Sequence, residues 1–71
     1  MNRTELKTLR FIQSHPAVAE VYHEEENGWW YHLKEGWING ECHGTVWRED
    51  TLVELRASLR FARHRVEGDP L

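Results

Sequence analysis

The sequence predicts an α+β domain of two layers, a three-stranded antiparallel sheet carrying an N-terminal and a C-terminal helix on one face. Apolar residues recur at helical spacing at both ends of the chain: Leu6, Leu9 and Ile12 first, then Leu52, Leu55, Leu59, Ala62 and Val66. Between them, residues 27–47 hold all four tryptophans, four of the five glycines and the only cysteine. Asn-Gly pairs at 27–28 and 39–40 adjoin β-favouring runs, and Asn-Gly supplies the positive φ angles of a tight hairpin turn. Two such turns imply a meander of three strands in the order helix, strand, strand, strand, helix.

The first helix is expected over residues 3–14, with Asn2 as cap and Glu5 as the return acceptor of a capping box. His15-Pro16 ends it, because the residue before a proline is pushed out of the helical region. Phe11 lies off the apolar stripe, either tucked under a strand or exposed as a contact residue. Residues 17–25 read as the first strand. Its buried face stays open, since Val18 and Tyr22 sit on one parity and Ala19 and Val21 on the other. The second strand, residues 29–34, is clearer: Trp29, Tyr31 and Leu33 share the core face, and Trp30, His32 and Lys34 the opposite one. Residues 37–44 are rich in turn formers and form either a second hairpin of their own or an irregular excursion, and residues 45–47 close the sheet. The last helix starts at a Thr51 to Glu54 capping box and is expected to run to Val66. Acids stand at its start, and Arg60, Arg63, His64 and Arg65 at its end.

With 71 residues the chain has room for one domain, residues 1–67, followed by a frayed tail over 68–71. A single cysteine excludes an internal disulfide, so Cys42 is a free thiol suited to a reducing cytoplasm. No apolar run approaches the ~20 residues of a membrane span, and the charged start is not a signal peptide. No membrane partner is expected.

The chemical inventory is short. His23, His32, Cys42 and His43 are the only soft ligands in the middle of the chain, and they lack the paired spacing of a structural zinc site. No oxyanion-holding turn or orienting carboxylate accompanies Cys42, so no catalytic residue, metal or cofactor is expected. Charge is more informative. From residue 17 to residue 47 six carboxylates, Glu20, Glu24, Glu25, Glu26, Glu35 and Glu41, face one lysine, Lys34. Four tryptophans exceed what one face of a small sheet can cover. Trp30 and Trp37 are therefore candidate aromatic anchors for a partner, with those six carboxylates as the charged part of the same surface.

The element order is also that of double-stranded RNA-binding domains, whose final helix opens with lysines. Here that helix opens Arg48-Glu49-Asp50-Thr51, and the alternative basic surface is a stripe of Arg56, Arg60 and Arg63. Self-association through exposed aromatics is a third reading. The run GWWYHLKEGW, a following Thr-Val-Trp strand and a Glu-Asp-Thr helix start are similar to small accessory proteins of bacterial plasmids, integrative elements and phages. That resemblance spans residues 28–59 and carries over no catalytic residue. It implies a compact acidic protein of the bacterial cytoplasm that blocks host defence, as CRISPR inhibitors do. The expected partner is a host protein or ribonucleoprotein with a basic groove, bound without direct nucleic-acid contact by a monomer or homodimer.

Overall fold

The computed structural model describes residues 1–69. Its elements are α1 (Arg3–Ser14), β1 (Val18–Glu24), β2 (Gly28–Leu33), β3 (Trp37–Asn39), β4 (Val46–Glu49), α2 (Leu52–Ser58), one 3₁₀ turn (Leu59–Phe61) and β5 (Ala62–His64). Antiparallel pairing joins β1, β2 and β4 into one sheet with β2 central, and β3 with β5 into a second. The class is α+β, as the sequence predicts, with the strands divided between two sheets.

Local signals set α1 and the first hairpin. The Asn2 side chain accepts the Glu5 N–H at 2.8 Å and the Glu5 carboxylate returns to the Asn2 N–H, closing the capping box. Extended backbone at His15, φ −65° and ψ 136°, ends the helix before Pro16. Between β1 and β2 the Asn27 N–H bonds the Glu24 carbonyl at 3.2 Å, and Gly28 follows at φ 77°. A Cβ on Gly28 would stand 2.6 Å from the Glu49 carbonyl oxygen, so the position needs glycine both for its φ and for its space.

A bulge resolves the ambiguous first strand. Val18 pairs with Leu33, whereas Glu20 pairs with His32, so Ala19 is an extra residue that shifts the register. Val18 and Val21, of opposite parity in sequence, therefore both reach the core side, opposite Leu33 and Tyr31. The core is Ile12, Ala17, Val18, Tyr31, Leu33, Leu52, Leu55 and Leu59. Trp29, Trp37 and Trp47 pack around it half-buried, while Leu6 of the expected α1 stripe is left exposed. Both helices touch each other, α1 lying against β1 and α2 against β4 and β2.

Two expectations are corrected. Asn39-Gly40 is not a two-residue hairpin turn: the chain folds back over a longer loop, closed by the Asn39 N–H on the Gly44 carbonyl and the His43 N–H on the Asn39 carbonyl. Asn39 ends β3 and is buried, and its side-chain oxygen accepts the N–H groups of Glu41 and Cys42. The positive φ of this loop falls instead on His43, at 57°. Nor does the last helix run to Val66: it ends at Ser58, tightens into the 3₁₀ turn, and continues as β5. A three-residue β3 would otherwise leave its backbone groups unpaired beside the buried Ile38, and β5 supplies the partners. Pro70 and Leu71, in the expected tail, lie outside the described residues. Asp69, also assigned to that tail, accepts two hydrogen bonds from the Arg63 guanidinium at 2.8 and 3.0 Å and one from the Val66 N–H.

Candidate functional site

With both helices on one side of the β1-β2-β4 sheet, the side chains that alternate to the other side meet no second layer of helices or strands among the described residues. These are Glu20, Tyr22 and Glu24 from β1, Trp30 and His32 from β2, and Val46 and Arg48 from β4. Tyr22 and Val46 on this face are 39% and 43% exposed. Tyr22 meets His32 edge-on, with ring centroids 5.0 Å apart. An open groove of about 420 Å³ runs across the face, lined by Tyr22, His23, Glu24, Trp30 and His32.

Hydrogen bonds fix the rim of this groove. The Tyr22 hydroxyl donates to the Glu20 carboxylate, and Asn27 Nδ2 donates to Glu24 Oε2 at 2.8 Å. Arg48 donates through Nε to the Asn27 carbonyl and through Nη2 to Asp50 at 2.7 Å, which commits its charge to the hairpin end. Glu20, Glu24, Glu25 and Glu26 form no ion pair among the described residues. The indole nitrogen of Trp30 is sealed from solvent and has no hydrogen-bond partner there.

The predicted surface residues separate into two groups. Glu20, Glu24 and Trp30 share the open face, and Glu25 and Glu26 extend it as the β1–β2 turn. Glu35 lies in the turn after β2, at the other end of that strand, and Glu41 in the loop after β3. β2 has six residues, which puts roughly 20 Å between Glu35 and the hairpin acids Glu24 to Glu26, whereas Glu20, opposite His32, lies nearer the Glu35 end. Trp37 also leaves the group: it lies half-buried against the core, with His64 at 3.9 Å and His15 at 6.5 Å between ring centroids. Tyr22, His32 and Val46 belong to the surface but were not singled out by sequence. The alternation around Trp30 gives His32, whereas the Ala19 bulge hides Tyr22.

The opposing basic surface is broken up. Arg56 sits on α2 with its guanidinium 4.0 Å from the centroid of the exposed Phe11 ring, and Arg60 lies on the 3₁₀ turn over Phe61. Arg63 is on β5 and its charge is engaged by Asp69, so the expected single helical stripe does not form. Beside it, Asp69 is held well below the usual carboxylate range, chiefly by the Arg63 hydrogen bonds and then by the Val66 N–H.

Cys42 is exposed and receives a hydrogen bond from the Gly44 N–H at 3.3 Å. Among the described residues no three His, Cys, Asp or Glu side chains gather as a metal site, and no helix is long and apolar enough to cross a membrane. No protein-family model, curated protein or solved structure matches this chain.

Proposed function

We propose that this protein is a protein-binding module of a bacterial mobile element, one that inhibits a host nucleic-acid-handling or defence complex. Its docking surface is the open sheet face together with the acidic turn Glu24 to Asn27. The observation that carries this reading is the coincidence, on the open face, of partly exposed aromatics with carboxylates that have no cationic partner among the described residues. Aromatic surface supplies contact area at low entropic cost, and a rim of one sign selects a partner of the other. Nucleic acid is repelled by such a rim, whereas the basic groove that holds nucleic acid is attracted to it.

Glu35 and Glu41 are not part of this proposed contact, because they lie in the connections after β2 and β3 and not on the open face, and Trp37 is excluded because it packs against the core. The test takes the host protein captured from a bacterial lysate, purifies it, and measures its binding to the parent and to the Glu24→Gln, Glu25→Gln, Glu26→Gln triple variant. The triple variant is expected to associate about tenfold more slowly at low salt, with the difference shrinking as salt screens the charges. Equal association rates at low salt would overturn the reading. So would direct binding of the parent to duplex RNA or DNA at physiological salt, tighter than about micromolar.

A further inference from the structure

We infer that the groove between Tyr22 and Trp30 is a receptor for a single arginine side chain of the basic partner, an inference that rests on the docking reading above. Tyr22 and Trp30 are direct cross-strand partners with Cβ atoms about 5 Å apart, and the Tyr22 ring meets His32 edge-on along the same groove. Glu24 stands at one end of this pair, and the residue opposite it, Gly28, has no side chain to fill the space. The other end is marked by Glu20, held by the Tyr22 hydroxyl.

A groove with aromatic walls and the Glu24 carboxylate in its lining suits a flat cation. The ring quadrupoles attract positive charge over their faces, and a planar guanidinium both stacks on an indole and forks onto a carboxylate. The one arginine of this face does not fill the groove, since Arg48 is bound to Asn27 and Asp50 at the hairpin end. Lysine would keep the ion pair but lose the stacking.

The four tryptophans provide the assay, because each gives its own indole signal in a ¹H–¹⁵N spectrum. The parent protein is titrated with acetyl-Gly-Arg-Gly-amide, and separately with its lysine and citrulline counterparts at matched ionic strength. The expected result is a saturable shift of the Trp30 indole with the arginine peptide, at a dissociation constant of about 10–100 mM, as for one exposed cation–π and ion-pair contact. Trp29, Trp37 and Trp47 are expected to stay in place. The lysine peptide binds about threefold more weakly, the citrulline peptide does not bind, and Glu24→Gln weakens the arginine peptide by about threefold. Equal shifts from the citrulline peptide, or movement of all four indoles together, would overturn the receptor. If the arginine peptide shifts nothing while the glutamine triple variant still loses its protein partner, the receptor falls and the docking reading stands.

Discussion

Ser58→Ala is expected to destabilise the fold by more than its small side chain implies. Tyr31 is fully buried, and its hydroxyl lies 2.7 Å from Ser58 Oγ. Ser58 spends its own proton on the Leu55 carbonyl at 2.5 Å, so Tyr31 is the donor of the pair. Removing the serine hydroxyl leaves a buried phenolic donor with no acceptor, a cost of about 1–3 kcal/mol. Tyr31→Phe removes the donor while Ser58 keeps its bond to Leu55, for about 0.5–1.5 kcal/mol. The double variant leaves no phenolic donor without an acceptor, so it should be less destabilised than the sum of the singles by about 1 kcal/mol. Urea unfolding followed by tryptophan fluorescence measures all four corners. A domain of this length holds roughly 4–11 kcal/mol in total, so the Ser58→Ala change is readily resolved. Additivity within about 0.3 kcal/mol would refute the coupling. Burial also pushes the Tyr31 phenol above its ordinary range, a shift that the Ser58 bond opposes. Stability should therefore fall as pH rises past about 10, where the unfolded tyrosine ionises first, and Tyr31→Phe should remove that loss.

Leu59→Ala, at a residue only 6% exposed on the 3₁₀ turn, should cost about 2–5 kcal/mol in the same assay. Gly28→Ala should cost at least about 1–2 kcal/mol, because the residue keeps φ at 77° and its Cβ would meet the Glu49 carbonyl. Asp69→Asn should change the acid limb of stability. The native carboxylate sits below its unfolded value, so its contribution is complete above about pH 4 and is lost as pH falls toward the native value. The gap between parent and variant should therefore close on acidification, as read by thermal melts across that range. Chelation with EDTA should leave the melting temperature unchanged.

Most of the frame was legible because its signals are local. The Asn2–Glu5 box, the proline stop after His15, the Gly28 turn and the alternation of Trp29, Tyr31 and Leu33 each need only a few neighbouring residues, and all are present. Features that depend on distant partners were not legible. The helical spacing from Leu52 to Val66 contains no stop before Gly68, yet the chain leaves the helix at Ser58 to pair with β3, which lies far earlier in sequence. Asn39-Gly40 has the composition of a turn, but Asn39 is drawn inward to hold the loop that follows. The same limit applies to the site. Trp30 could be assigned to the open face from its parity, whereas Tyr22 depended on a one-residue bulge, and Trp37 was covered by histidines from two other segments. Counting glutamates grouped Glu35 and Glu41 with the hairpin acids, although the length of β2 separates them.

The most direct test of the open face as the docking surface is site-specific photocrosslinking in a bacterial lysate. A benzophenone amino acid replaces Val46 on the bare sheet face in one variant and Val53 on the outer side of α2 in another, both exposed positions. Position 46 should crosslink to a basic host protein, a product absent at position 53 and lost when Glu24, Glu25 and Glu26 are glutamines. Crosslinking from position 53 alone, to nucleic acid, or only to a second copy of the chain would contradict it.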